Sequence, residues 1–156
     1  MISFEMYGYE LRKISTDKSP YTSKIDGKSR INNELCEEIL EKLCFWELQK
    51  GFLDNYITLH TLAKELNTNS TYLSQVINSH KNQNFASYLK DIRIAHAISD
   101  LKINPDIIKS KSMIHIAEMY GFNSIGVFSK AFKDKIGATP GVFFKRILED
   151  EWKKKM

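Results

Sequence analysis

From Asn33 onward, apolar residues recur at helical spacing almost without interruption. Leu35, Ile39, Leu43 and Trp46 fall on one face of a helix, which Gly51 is placed to end. Leu59, Leu62, Ala63 and Leu66 mark a second, short face, with Thr58 as N-cap. Asn67-Thr68-Asn69 is a turn, and a third short helix follows with Leu73, Val76 and Ile77 inward. Asn84 can cap a long fourth helix whose core face is Phe85, Tyr88, Leu89, Ile92, Ala95 and Leu101, and Asn104-Pro105 stops it. Residues 114–120, 124–135 and 140–152 read as three more, with Thr139 capping before Pro140 at the first helical position. No stretch alternates as a strand would. The expected fold is all-α, with about seven helices.

The pattern also repeats. Leu59–Asn67 aligns with Met113–Gly121 at an offset of 54 residues, pairing Leu62 with Ile116, Ala63 with Ala117, Leu66 with Tyr120 and Asn67 with Gly121. Beyond the turn the offset is 55, pairing Leu73 with Phe128, Val76 with Ala131 and Ile77 with Phe132. The second copy thus carries one extra turn residue. Each copy has the logic of a helix-turn-helix. A small alanine lets two helices cross closely, and Gly121 or Asn67 supplies a left-handed turn residue. An apolar trio seats the second helix with its polar face outward. A major groove admits one such helix. The intervening helix of roughly 18 residues spans ~27 Å, close to the ~34 Å of one DNA turn.

Residues 57–147 resemble the DNA-binding domain of AraC/XylS-type bacterial transcription regulators. The first copy carries the likeness in Ile57-Thr58-Leu59, Leu62-Ala63, Leu66-Asn67 and Tyr72-Leu73-Ser74, and the linker in Tyr88-Leu89, Arg93, Ala97 and Leu101. The second copy carries it most fully: Ile116-Ala117-Glu118, Gly121-Phe122-Asn123-Ser124, Phe128 through Lys133, Gly137, Thr139-Pro140 and Phe143. The acidic helix leading into Lys50-Gly51-Phe52-Leu53-Asp54 resembles a subset in which this domain ends a membrane-bound sensor.

The resemblance implies sequence-specific binding of double-stranded DNA for transcriptional control. It assigns base contacts to Thr71, Ser74 and Gln75 in the first copy and to Ile125, Gly126, Ser129 and Lys130 in the second. Gln75 suits adenine, and Lys130 suits guanine or a phosphate. Ile125 suits only a thymine methyl, and Gly126 has no side chain to offer. Thr58, Ser70, Tyr72, Asn78, Lys81, Ser124 and Lys133 are the candidate phosphate contacts. Ser70 and Ser124 have capping as an alternative role, Tyr72 packing, and Lys81 and Lys133 plain solvation. Arg93 reads as a structural ion-pair partner, with base reading as its alternative. RNA polymerase and a homodimer formed through a separate domain are further implied partners. The competing reading is a protein-interaction or dimerisation module on the same scaffold, favoured by Ile125 and Gly126.

Charge sharpens this picture. Residues 31–56 carry 2 basic and 6 acidic groups, whereas residues 111–156 carry 9 basic and 5 acidic. A polyanion would therefore meet the C-terminal two thirds of the 156-residue chain. The expected organisation is a linker or tail over 1–30, an acidic leading helix over 31–56, the first helix-turn-helix with its linker helix over 57–103, and the second with a C-terminal helix over 104–156. The apolar runs are too short for a membrane span, and the N-terminus lacks a secretion signal. The expectation is a cytoplasmic chain, or the cytoplasmic part of an anchored one, with no membrane contact of its own. Cys36 and Cys44 stand ~12 Å apart on one helix, too far for a disulfide, and Cys44 is expected to be buried. His60, His80, His96 and His115 lack metal-ligand spacing, and His96 and His115 are expected at the core's edges. No phosphate loop or nucleophile elbow is present. Neither a metal, a cofactor nor an enzymatic activity is expected.

Overall fold

The computed structural model describes residues 32–156; the tail assigned to residues 1–30 lies outside them. Among the described residues the fold is all-α, with eight α-helices and one 3-10 turn. They are α1 (Asn33–Leu48), the turn Gly51–Leu53, α2 (Leu59–Glu65), α3 (Ser70–Lys81), α4 (Phe85–Ile103), α5 (Asp106–Ser110), α6 (Met113–Met119), α7 (Ile125–Ile136) and α8 (Pro140–Lys154). None of the described helices is long and apolar enough to cross a membrane.

Short polar side chains start most of these helices by accepting an orphan backbone N–H. Asn32, Asn69 and Asn84 accept from Leu35, Tyr72 and Ser87 at 2.7, 2.9 and 2.9 Å. Thr58 accepts from Thr61 at 3.1 Å, and Thr61 Oγ1 accepts from the Thr58 N–H at 2.9 Å, a reciprocal box. Thr139 makes no such bond, and α8 starts on Pro140 alone.

The repeat is realised in equal lengths. α2 and α6 have 7 residues each, and α3 and α7 have 12 each. Both first helices end in the same pair of bonds. Thr68 N–H donates to the Ala63 carbonyl at 2.8 Å and Asn67 N–H to Lys64 at 3.1 Å. Phe122 and Gly121 do the same to Ala117 and Glu118 at 2.9 and 3.0 Å. That closure needs a left-handed residue. Asn67 (φ 56°) and Gly121 (φ 86°) provide it. The extra residue of the second turn lets Phe122 enter the core, with its ring 5.3 Å from that of Phe128.

Two apolar cores form, sharing α4 between them. The first holds Ile39, Leu43, Trp46, Leu62, Leu73, Val76 and Ile77 against Tyr88 and Leu89. The second holds Ile116, Tyr120, Phe128, Phe132, Phe143 and Phe144 against Ile94, Ala97, Ile98 and Leu101. Every apolar pair of the repeat is buried, Ala63 and Ala117 at 1% exposure each, while the turn residue Asn67 is exposed.

Several expectations are corrected. Gly51 does not end α1: Lys50 takes the left-handed conformation (φ 59°), and Gly51 is small because a Cβ there would lie 2.1 Å from the Trp46 indole nitrogen. Cys44 is exposed, as are its neighbours Phe45 and Leu48, because Leu43 and Trp46 take the inward face. His115 is exposed beside its capping serine, Ser112. The chain after Pro105 forms an additional helix, α5, whose Ile107 and Ile108 pack on the second core.

One strap, residues 51–57, crosses the middle of α4. Arg93 Nε donates to the Phe52 carbonyl and its Nη2 to the Asp54 carbonyl, both at 2.6 Å. Arg93 is thus a clamp on backbone oxygens rather than one half of an ion pair. Burial lowers its pKa, and the nearby Asp54 opposes that shift. Asn55 and Asn123 meet through their amides at 3.0 Å, tying the strap to the second turn. A ring stack runs alongside, with Phe52 5.5 Å from His96 and His96 5.8 Å from Tyr120.

Two predictions follow from this core. Gly121→Ala should cost more stability than Asn67→Ala. The latter gives up only asparagine's tolerance of the left-handed region, roughly 1 kcal/mol or less. The former also puts a Cβ 2.4 Å from Arg93 Nε. Urea unfolding of both variants checks this, and equal losses would mean that Arg93 yields freely. The second concerns pH. Burial holds the His96 imidazole below its usual value, against Asp100 and with Lys50. Its stabilising effect is therefore present above the unfolded value of about 6.5 and is lost as pH falls toward the folded value, since the unfolded chain protonates first. His96→Gln should flatten the fall in urea midpoint between about pH 7.5 and 5.5. An unchanged fall would assign the acid sensitivity elsewhere.

Candidate nucleic-acid interface

The second helix of each unit presents its outward face through the same register. At the 55-residue offset, Thr71, Ser74, Gln75 and Asn78 of α3 correspond to Gly126, Ser129, Lys130 and Lys133 of α7. The buried trios Leu73, Val76, Ile77 and Phe128, Ala131, Phe132 occupy the opposite faces. One helical turn of spacing therefore decides both what is buried and what is offered. Thr71 and Asn78 are exposed, and Ser74 and Gln75 are half-buried. Gly126, Lys130 and Lys133 are exposed, Ser129 is half-buried, and Ile125 stands 40% exposed at the rim.

The two faces differ in chemistry. That of α3 is polar and uncharged. That of α7 carries two lysines, and Lys130 Nζ sits 2.7 Å from Asp134 in an exposed pair. The Lys130 hydrogen bond holds the Asp134 carboxyl below the usual carboxylate range, helped by the charges of Lys130, Lys90 and Lys133. Exposed pairs of this kind add little, so Lys130 can leave Asp134 for another acceptor at low cost.

The remaining candidates fall into three settings. Thr58 and Ser124 are exposed N-caps, and Ser124 Oγ accepts from Val127 N–H at 3.4 Å. Ser70, the first residue of α3, and Tyr72 are half-buried, and Tyr72 packs on the first core. Lys81 is corrected. Its Nζ lies 3.3 Å from Glu47 Oε1 and 5.5 Å over the Tyr88 ring, with 17% of the side chain exposed. Tyr88 OH also donates to Glu47. Burial pushes the Glu47 carboxyl up and the Lys81 ammonium down, so desolvation outweighs their attraction. This lysine ties the end of α3 to α1 and is withdrawn from the phosphate set. No local pattern signals that network, since its members lie 41 residues apart along the chain from Glu47 to Tyr88.

Thr58 and Ser124 come from different units yet line one groove of about 640 Å³. Its floor is the N-terminal half of α4, with Ser87, Lys90 and Arg93, and its other wall includes Asn123 and Val127.

Known proteins resemble this chain in sequence and fold. A family model described as a helix-turn-helix domain matches residues 62–146. The Msm operon regulatory protein of Streptococcus mutans is 30% identical over 91 residues, 58% of this chain and 31% of that protein. The transcriptional regulatory protein YesN of Bacillus subtilis is 33% identical over 89 residues, 56% of this chain and 23% of that protein. The chain therefore spans less than a third of either relative's length. Among solved structures, the C-terminal domain of AraT, a response regulator from Geobacillus stearothermophilus, superposes with a TM-score of 0.55 at 25% identity, covering 76% of this chain and 88% of that one. With two helix-turn-helix units on one linker helix and a match over more than half its length, the chain belongs to the AraC-type helix-turn-helix family, a DNA-binding domain of transcription regulators and not an enzyme domain.

Proposed function

We propose that the chain binds double-stranded DNA in a sequence-specific way to control transcription, with α3 and α7 in successive major-groove segments on one face of the duplex. The supporting observation is the common register of the two outward faces, each on a twelve-residue helix seated by a buried trio. α4, of 19 residues, spans ~28 Å, which suits helices set about one DNA turn apart.

The two units then divide the work. Gln75 presents an amide that can bond adenine on two atoms, with Ser74 and Thr71 beside it. On α7, Lys130 reaches guanine or a phosphate, Ser129 a base edge, Ile125 a thymine methyl, and the backbone at Gly126 approaches closely. Thr58, Ser70, Asn78, Ser124 and Lys133 hold the phosphates, and Tyr72 adds its hydroxyl at the edge. The same proposal includes RNA polymerase as a partner and dimerisation through a domain beyond residues 32–156. The apolar rim of Ile125 and Val127, 40% and 52% exposed, is what favours a protein partner instead.

Selection from a random duplex library at ~100 mM salt decides between them. A motif with two half-elements ~10 bp apart supports two base-reading units. One half-element would make α7 a phosphate clamp, and no enrichment with no salt-dependent binding would favour the interaction module. On the selected duplex, contact with six to eight phosphates gives a slope of log K against log salt of roughly −5 to −7. Gln75→Ala should cost about 1–3 kcal/mol and relax preference at one base step only. Equal loss on every sequence would remove Gln75 from the readers.

A further inference from the structure

We propose that the groove between the two helix-turn-helix units is a third DNA contact, in which Lys90 seats the phosphodiester backbone running between the two major-groove segments. This rests on the DNA-binding function proposed above. Two helices in successive major-groove segments leave the intervening backbone facing whatever lies between them. α4 packs against both α3 and α7, and its N-terminal half is the floor of the groove.

The lining matches a phosphodiester in charge. Lys90 and Arg93 are its charged residues, and it contains no carboxylate. Arg93 is already engaged by the Phe52 and Asp54 carbonyls. Lys90, half-buried, is the cation left to face an incoming anion. The nearby Asp134 is occupied by Lys130 at 2.7 Å. The rim adds neutral donors: Thr58 from the first unit, Ser87 from α4, and Asn123 and Ser124 from the second. Ser124 Oγ accepts from its own helix, which leaves its proton to donate outward. Val127 supplies an apolar wall that a sugar can lie against. A contact of this kind carries no sequence information but fixes the spacing at which both readers engage.

The test uses the whole chain with Lys90→Met and Lys90→Arg, titrated on the selected duplex and on scrambled DNA between ~50 and ~200 mM salt. Lys90→Met should weaken both by the same several-fold factor and make the salt slope shallower by about 1, with base preferences intact. Lys90→Arg should restore the slope, and melting temperatures should match the wild type. Neutral methylphosphonate linkages placed between the two half-elements should weaken the wild type to the level of Lys90→Met and leave that variant unaffected. An unchanged slope and affinity for Lys90→Met, beside a wild type that binds, overturns the proposal, as does a loss confined to one sequence. A wild type that shows no salt-dependent binding overturns the DNA-binding function itself and this contact with it.

Discussion

The relation between the two units depends on one guanidinium. Arg93 stands near the middle of α4, where the first core ends and the second begins, and holds two carbonyls of the strap at 2.6 Å each. A charged hydrogen bond contributes roughly 1.5–3 kcal/mol. The Phe52 carbonyl's bond to Arg93 is part-buried, whereas the Asp54 carbonyl also accepts from the Ile57 N–H at 3.4 Å. The geometry around it is tight enough to dictate other residues. Gly121 lacks a side chain where Arg93 passes, and its left-handed backbone would strain any replacement. The second turn is therefore shaped by a residue on the linker, and the first turn, with Asn67, is not. Because Leu53 of the strap touches both cores, holding the strap also holds the two units in fixed spacing.

The same economy of contacts ties α3 to α1. Glu47 receives the Tyr88 hydroxyl and the Lys81 ammonium, so three elements meet at one carboxylate. Burying such a group costs desolvation, which is why its pKa rises despite two favourable partners. Removing one partner would leave an uncompensated buried charge, a larger loss than the intact cluster contributes. The cluster therefore defines where α3 ends more than it stabilises the fold. The acidic leading helix, outside the matched family region, thereby becomes part of what positions the first outward face.

Most of the helices, their inward faces and the repeat were legible in the sequence because a 3.6-residue period and a buried stripe leave a strong one-dimensional trace. The exception is α4, which serves two cores and so buries Ile94, Ala97 and Ile98, while Phe85, Ile92 and Ala95, expected inward, are only half-buried. All the apolar pairs, from Leu62 and Ile116 to Ile77 and Phe132, are buried. What the sequence left hidden was contact between distant segments. Lys81 looks like any surface lysine until Glu47 is folded against it. Cys44 sits beside Leu43, and one residue of helix rotation separates burial from exposure. Gly51 has the composition of a helix stop, yet its role is to make room for an indole ring. α5 was missed because five residues after a proline give too little periodicity to register. Of the candidate interface, the outward faces were readable from register alone, whereas the groove that gathers Thr58, Lys90 and Ser124 exists only once α2, α4 and α7 are packed.

The two outward faces suggest how a duplicated motif comes to have unequal halves. The first core is mostly aliphatic; the second is a chain of rings, Phe122, Phe128, Phe132 and Phe143, at centroid spacings of 5.3, 5.2 and 5.1 Å. Aromatic packing specifies orientation more strongly than aliphatic packing does. An α7 seated by these rings can then act through position and charge, with Lys130 and Lys133 on its outward face and a bare backbone at Gly126. α3, with Thr71, Ser74 and Gln75, offers hydrogen-bonding side chains and no charge. Charge attracts any duplex, whereas amides and hydroxyls discriminate among base edges. On the proposed function, affinity is thus weighted toward the second unit and discrimination toward the first. The strap and Arg93 are what allow one domain to combine the two.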